Sequence, residues 1–223
     1  MKNNQKNLLN IHLVPNYSLE SFLIEHERLK KEFQNNFLFQ LMQSGKLSSD
    51  KHKDVFFEYY QEFSNQFQRM IHLRSALCEN SQFAPIFTQH FDEEYGHDKM
   101  LQKERNDLFL KKDPIVQALC AWFPHKMLVT TPAEQLVISN LCIESAAVII
   151  HTYAIPAFDP EKKSEYYRVH EEHDCYHENM GLSLLENLSP RDYERLTSVL
   201  EDAWSICDAL MARIGELTLK ASI

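Results

Sequence analysis

The stretch LVISNLCIESAAVII, residues 136–150, is the part of the sequence that decides the fold class. A helix with this sequence is apolar on nearly all of its sides, which predicts that it lies at the centre of a folded core. The helix is expected to begin near Pro132 and to end before Pro156, because prolines commonly mark helix borders. Glu144 is the acidic residue that interrupts its apolar surface.

The composition indicates one mostly helical domain. The chain has 223 residues, of which 44% are hydrophobic and 25% charged, and this length is sufficient to bury a core. Only four residues are glycine, whereas a β-rich fold favours glycine in its many tight turns. The formal net charge is −9 and no cluster of Lys and Arg is present, which argues against a nucleic-acid partner.

Prolines and helix-capping residues divide the chain into about seven helical segments. We expect them over residues 18–43, from residue 50 onward, and over 83–110, 114–122, 132–155, 163–188 and 190–219. The second segment has an aromatic face. The prediction is an all-α, single-domain bundle over residues 17–223, preceded by an N-terminal extension of residues 1–16.

The sequence favours a cytoplasmic protein without a membrane segment. The five cysteines are scattered and form no CxxC pair, as is typical of reduced intracellular thiols. Residues 1–10 lack the apolar stretch of a signal peptide. The longest apolar run, residues 141–150, is too short to span a bilayer.

The sharpest candidate for a metal site is the segment HEEHDCYH, residues 170–177. Each helical residue turns by about 100°, so His170, Asp174 and His177 fall within roughly 60° of one another. Two imidazoles and one carboxylate suit iron, manganese or zinc. The alternative is a polar helix face with solvated histidines. His173, at the edge of the same face, stays open as a further ligand.

A second candidate is the segment DEEYGH, residues 92–97. Glu94 and His97 have the i, i+3 spacing of the ligand pair in carboxylate-bridged di-iron bundles. Glu93 competes with Glu94, since it lies four residues before His97, and His90 could face the site from two turns earlier. Glu94 is favoured because residues 174 and 177 repeat the same carboxylate–histidine spacing.

The third candidate is Glu144 itself. An ionised carboxylate inside an apolar core is costly unless it is paired or bound to a metal. The alternative is a buried Glu with an arginine partner or a raised pKa. His151 lies two turns later on the same face. Together the three segments offer three carboxylates and three imidazoles, a set that could hold two metals.

This ligand pattern resembles that of the heme-oxygenase-like di-iron oxidases and oxygenases. The resemblance is carried by Glu94-Tyr95-Gly96-His97, by an isolated Glu144 on an apolar helix, and by His170-x3-Asp174-x2-His177. That family includes a chlamydial protein that associates with death domains, and its wider fold is shared with thiaminase II and pyrroloquinoline-quinone-forming proteins. It implies a seven-helix, all-α, heme-oxygenase-like bundle.

The resemblance also implies a function. Two Fe(II) ions, with Mn or Zn as substitutes, would be held by Glu94, His97, Glu144, His170, Asp174 and His177. Such a centre would react with O2 and oxidise a small organic substrate, and a homodimer is left open. Glu144 would bridge the two metals, and an upstream carboxylate, Glu58 or Glu62, could join them. Heme chemistry is not expected, because His26 is the sole candidate ligand in the first helix and lacks a recognisable motif.

Two other interpretations stay open. A ferritin-like di-iron bundle would combine Glu58 or Glu62 with the same carboxylate–histidine pairs, although His170 and the number of helices argue against it. A non-enzymatic helical interaction protein would need no metal and no buried carboxylate–imidazole cluster.

Overall fold

The computed structural model describes residues 17–105 and 112–221, without the side chains of residues 171–175. Every regular element in these ranges is helical and none is a β-strand, so the predicted all-α fold is confirmed. The α-helices are α1 (Leu19–Phe33), α2 (Phe37–Gln43), α3 (Asp50–Leu77), α4 (Ala84–Glu94), α5 (His97–Glu104), α6 (Pro114–Val129), α7 (Pro132–Leu136), α8 (Ser145–Phe158), α9 (Glu165–His177) and α10 (Pro190–Lys220). The predicted extension of residues 1–16 and the predicted helix end at residues 106–110 lie outside the described residues.

The central helix predicted from residues 136–150 occupies the middle of the bundle. It consists of α7, a π-helix over Val137–Glu144, and α8, and these run on as one helix from Pro132 to Phe158. By length and composition this helix could cross a membrane, but 72% of its most apolar window is buried inside the bundle. That burial is typical of the core helix of a soluble domain.

Two of the predicted helices are interrupted, so their predicted continuity was wrong. The first breaks between α1 and α2, where the Asn36 side chain accepts a hydrogen bond from the Leu38 N–H and caps the new helix. The third breaks between α4 and α5 at Gly96, whose φ of 90° lies in the left-handed region that favours glycine. Capping at the first break and the glycine at the second stop helices that the apolar pattern alone would continue.

Prolines inside helices explain two further differences. Helix α6 continues past Pro124 to Val129, and α8 continues past Pro156 to Phe158. A proline removes one backbone hydrogen bond, but the buried Met127 and Phe158 beyond these prolines keep the last turns packed. The sixth predicted helix is shorter than expected, since α9 ends at His177 and is followed by turns and a 3₁₀-helix, Leu182–Leu185.

The packing of the helices brings three sequence-distant regions together. Helix α3 packs against α4 and α5, while α9 packs against α5, α8 and the π-helix. Side chains from α4, α5, the π-helix and α9 therefore face a common interior space beside α3. The candidate site lies there.

Candidate metal centre

Five of the six predicted ligands meet in the interior of the bundle, in two groups that share one residue. Within each group, one potential ligand atom per residue lies within 4.8 Å of those of the others. The first group is His90, Glu94, Glu144 and His177, and the second is Glu94, His97 and His170. The sixth predicted ligand, Asp174, and the open candidate His173 lie outside the described side chains.

Glu94 is the residue common to both groups, although Glu144 was expected to bridge two metals. One oxygen, Oε2, lies 2.8 Å from His97 Nδ1, and the other, Oε1, lies 3.1 Å from His177 Nδ1. Glu144 takes part only in the first group. The geometry therefore favours Glu94 as the bridging carboxylate, and its position at the end of α4, just before the break, lets it face both sides.

The two carboxylates at the centre are buried but ionised. Glu94 is 2% exposed and Glu144 is 3% exposed. Burial alone would raise the pKa of Glu94, but its contacts with His177 and His97 hold that pKa well below its usual value. The same balance, with His90 and His177 as the opposing groups, lowers the pKa of Glu144.

One oxygen of Glu94 points to a missing ligand. Glu94 Oε1 is fully buried and faces His177 Nδ1 at 3.1 Å without the alignment of a hydrogen bond. A buried carboxylate oxygen without a well-aligned hydrogen bond is costly, and a metal cation between it and His177 is one group that would satisfy it. The donor set around it consists of carboxylates and imidazoles, which suits iron or manganese. The residues present therefore fit a metal.

His177 distinguishes the roles of the two adjacent glutamates. Its Nε2 donates to Glu93 Oε2 at 2.8 Å, while its Nδ1 faces Glu94 Oε1 and lies 3.7 Å from Glu144 Oε2. Burial opposes its charge, but Glu144 and Glu94 raise the pKa of His177 to about 11, so the ring is an imidazolium in the metal-free chain. Glu93 thus lies behind the histidine and orients it, as carboxylates commonly do for metal-binding histidines.

His170 has the tautomer that a metal-binding histidine needs. Its Nδ1 donates to the backbone carbonyl of Tyr166 at 2.6 Å, which leaves Nε2 as the nitrogen that can coordinate a metal. The His170 and His97 rings lie side by side, with centroids 4.7 Å apart. These two histidines and Glu94 form the second group.

His90, an open candidate, joins the first group, but a neighbouring arginine gives it another role. Arg74 Nη2 lies 2.7 Å from His90 Nδ1, and His90 Nε2 lies 2.8 Å from Glu144 Oε1. A guanidinium only donates, so Nδ1 accepts and the proton sits on Nε2, which donates to Glu144. The arginine partner considered for Glu144 therefore exists, but it acts through His90.

Sequence reasoning missed Arg74 and the polar network around it. Arg74 is completely buried and also donates to Ser139 Oγ and Asn140 Oδ1, while Asn140 Nδ2 donates to the carbonyl of His177. Burial lowers the pKa of Arg74 to about 9, with Glu144 acting in the opposite direction. No sequence motif marks these contacts. The only available signal was a basic residue at the end of a helix with an aromatic face.

Two other open candidates, Glu58 and Glu62, and the neighbouring His151 lie outside the two groups. Among the described side chains, neither Glu58 nor Glu62 belongs to either one. His151 is buried with its ring centroid 5.1 Å from that of His170, and its Nε2 lies 3.4 Å from the Tyr60 hydroxyl. His151 therefore lines the surroundings of the site and is no part of the ligand set in the described structure.

A cavity of about 30 Å³ lies against the second group, lined by Glu94, His97, Glu144 and His170 together with apolar and aromatic side chains. This volume is about that of one water molecule in the liquid. It has room for an ion or a small diatomic molecule, whereas an organic substrate would need more space.

Comparisons with solved structures identify the fold. A domain of unknown function with a heme oxygenase-like fold from Shewanella denitrificans OS217 superposes with a TM-score of 0.72 and 13% identity, over 89% of this chain and 92% of that one. A TenA homolog from Pseudomonas syringae pv. tomato str. DC3000 has a TM-score of 0.68 and 16% identity, over 87% and 91% of the two chains. These identities establish the fold alone, and that fold disfavours the ferritin-like interpretation.

The comparison of sequences gives the family. No family model matches the chain. The uncharacterized protein RP592 of Rickettsia prowazekii (strain Madrid E) is 30% identical over 200 residues, which cover 90% of this chain and 96% of that protein. The chain thus belongs to the same family as RP592, and it is a member of the heme oxygenase-like fold group.

Proposed function

We propose that this protein is a non-heme di-iron oxidase or oxygenase that uses O2 to oxidise a small organic substrate in the cytoplasm. The observation that carries the proposal is Glu94, a buried carboxylate common to two groups of ligand-type side chains. Its Oε1 atom is fully buried and faces His177 Nδ1 at 3.1 Å without the alignment of a hydrogen bond. A carboxylate placed between two ligand groups is what a pair of metal ions requires.

The described side chains divide naturally between two metal positions. Glu94, Glu144 and His177 would hold one ion, and Glu94, His97 and His170 would hold the other, with Asp174 as the further anionic ligand expected from α9. No cysteine belongs to either group, so the set differs from the thiolate-rich sites that bind structural zinc. Bound iron would supply the redox chemistry with O2, and manganese or zinc could occupy the same ligands.

Hydrogen bonds from the surrounding residues hold these side chains in fixed orientations. Glu93 fixes the ring of His177, the Tyr166 carbonyl fixes that of His170, and His90 fixes the carboxylate of Glu144. Each of these contacts removes rotational freedom from a ligand before any metal arrives. The apolar wall of the cavity, which includes Phe67 and Ile143, limits the access of water.

The test is anaerobic titration of the metal-free chain with Fe(II), followed by exposure to O2 in a stopped-flow spectrometer. We expect about two irons per chain and a transient visible absorption band in the wild type. Glu94→Gln should lose both irons, because it removes the shared ligand. Glu134→Gln is the matched control: Glu134 is also a buried carboxylate, but it pairs with Arg195 outside the site. Failure of the wild type to bind iron would overturn the proposal.

The main alternative is a metal-free member of the fold group, either an enzyme or an interaction protein. Such a protein would have no need for ionised carboxylates at the centre of its core. The same titration separates the alternatives, since a metal-free protein would bind Fe(II) no better than its Glu94→Gln variant.

A further inference from the structure

An open cleft lies on the outer side of α3 and α5, next to the candidate metal centre. Its volume is about 750 Å³, within the range of clefts that bind small organic molecules. Its lining includes Gln61, Gln68, Arg69, Asp98, Lys99 and Arg105. The cleft has the room for an organic molecule that the small interior cavity lacks.

The cleft and the interior cavity share part of their walls. Gln68 and Asp98 line both the cleft and the 30 Å³ cavity that contacts Glu94, His97 and His170. These two side chains therefore contact both spaces. A ligand in the cleft would therefore approach the metal centre from the α3–α5 side.

Two buried glutamines that line the cleft have hydrogen-bonding atoms without a partner in the described structure. Gln68 Oε1 accepts from the Gly96 N–H at 2.8 Å, which fixes the orientation of the amide, and its Nε2 donates to nothing in the described structure. Gln61 Nε2 donates to the Asp98 carbonyl at 2.9 Å, and its Oε1 accepts from nothing there. Gln61 is 1% exposed and Gln68 is 8% exposed, so each lacks a polar contact that a ligand would provide.

The charge of the cleft is opposite to that of the chain. The chain has a formal net charge of −9, yet the cleft is lined by Arg69, Lys99 and Arg105 with Asp98 as the one carboxylate among its described lining residues. Lys99 and Asp98 pair at 3.2 Å, and Glu58 and Asp54 oppose the charge of Arg105, which leaves Arg69 as the excess positive charge. A positive cleft on an acidic protein attracts anions selectively.

We propose that this cleft binds a small organic acid and that this acid is the substrate of the buried centre. The cationic side chains and Gln68 Nε2 supply donors for a carboxylate, and Gln61 Oε1 accepts from a donor group of the ligand. The role of this acid as a substrate rests on the proposed function, whereas its binding in the cleft does not.

Binding is tested on the metal-free full-length chain. Benzoate, hexanoate and acetate are titrated and followed by NMR of the backbone amides, with benzamide as the uncharged counterpart of benzoate. We expect saturable binding of benzoate or hexanoate that shifts amides of α3 and α5, and at least tenfold weaker binding of benzamide. If none of the three acids binds, or if benzamide binds as well as benzoate, the proposal is overturned.

Variants locate the binding. Arg69→Glu with Lys99→Glu should weaken acid binding at least tenfold, while the control pair Lys46→Glu with Arg191→Glu changes the net charge equally at exposed positions elsewhere. Gln68→Leu should also weaken it, whereas Gln66→Leu, a buried glutamine of α3 that donates to Glu62, should not. Equal binding by the charge-reversed and control pairs would contradict the proposal.

Iron loading of the same variants separates the two proposals. Arg69→Glu with Lys99→Glu should load Fe(II) like the wild type, because neither side chain is a ligand. A chain that binds acids but no iron would overturn the di-iron function but not the binding of acids in the cleft. A chain that binds iron but no acid would overturn the cleft alone.

Discussion

Arg74 Nη2 lies 2.7 Å from His90 Nδ1, and this contact determines which nitrogen of His90 carries the proton. The proton on Nε2 points at Glu144 Oε1, 2.8 Å away. A histidine that ligates a metal must offer a lone pair, whereas His90 offers a hydrogen. His90 is therefore an orienting residue for Glu144, although it lies among ligand-type side chains.

We predict that His90→Gln retains about two irons per chain, because a glutamine amide can still donate to Glu144. His170→Gln should lose about one iron, since it removes a ligand of the second group only. Iron per chain is measured after anaerobic loading and desalting, with thermal unfolding as the check on the fold. Loss of an iron from His90→Gln would show that His90 is a ligand after all.

The adjacent glutamates should behave differently. Glu93→Gln should weaken one of the two iron sites by about 10- to 100-fold, the usual effect of removing the group that orients a metal-binding histidine. Glu94→Gln should abolish both sites. Fe(II) titrations of the two variants under argon provide the comparison. Equal affinities in both variants would contradict the different roles assigned to these residues.

Metal affinity should rise with pH. A metal at His177 must displace the Nδ1 proton, and the pKa of His177 is raised to about 11 by Glu144 and Glu94 against the effect of burial. Between pH 7 and 8 the affinity of this site for Mn(II), a redox-stable probe, should therefore increase about tenfold per pH unit. EPR counts the free Mn(II), and proton release in weak buffer gives an independent count. An affinity independent of pH would contradict the imidazolium form.

His177 should make the stability of the metal-free chain fall as the pH rises, which is opposite to the pH dependence of metal affinity. Its folded pKa of about 11 lies above the unfolded value near 6.5, so its stabilising effect is complete below pH 6.5. That effect is lost as the pH rises toward 11. Urea unfolding of metal-free protein at several pH values measures this loss, which should be absent in His177→Gln.

His26, which lies outside the candidate metal centre, should give the stability a second pH dependence. It is buried against Trp204, whose Nε1 donates to His26 Nδ1 at 3.4 Å. Burial, with Lys30 nearby, lowers the pKa of His26 to about 4 from an unfolded value near 6.5. Its contribution is therefore present above pH 6.5 and is lost as the pH falls through 4, on the order of 3 kcal/mol at most. Acid unfolding of His26→Gln should lack this component.

Gly96 should be required for the site as well as for the fold. Its φ of 90° is strained for any other residue, so Gly96→Ala should cost about 1–2 kcal/mol of unfolding free energy and shift Glu94 relative to His97. Gly45→Ala is the control, because Gly45 also has a positive φ and open space around it but lies outside the site. Both variants should lose similar stability, whereas only Gly96→Ala should lose iron.

The helical class and the meeting of carboxylates and histidines from distant segments could be predicted from the sequence, because both depend on periodicity and polarity. Glu144 is an example: its apolar surroundings place it in the core, and only a few partners can accompany it there. The break at Gly96 was missed, and with it the reason why Glu94 faces both groups. A single glycine within an apolar pattern is compatible with either a continuous or a broken helix.

Arg74 could not be predicted as part of the site. It comes from α3, and its role depends on a tertiary contact with His90 that has no local pattern. The choice between Glu93 and Glu94 was likewise open on spacing alone. Their distances to His177 Nε2 and Nδ1 distinguish them, and those distances depend on how α4 packs against α9.

Because Val137–Glu144 forms a π-helix, the number of residues in this segment determines the geometry of the site. Its hydrogen bonds join residues i and i+5, so it holds more residues per turn than the α-helices on either side. Deleting one residue within it would let the backbone return to ordinary α geometry, while Ser139 and Asn140 would shift relative to Glu144. A relative that retains every candidate ligand but is one residue shorter in this segment would therefore lack the arrangement in which Arg74 contacts Ser139 and Asn140 while His90 contacts Glu144. An alignment gap there would be as informative as the loss of a ligand.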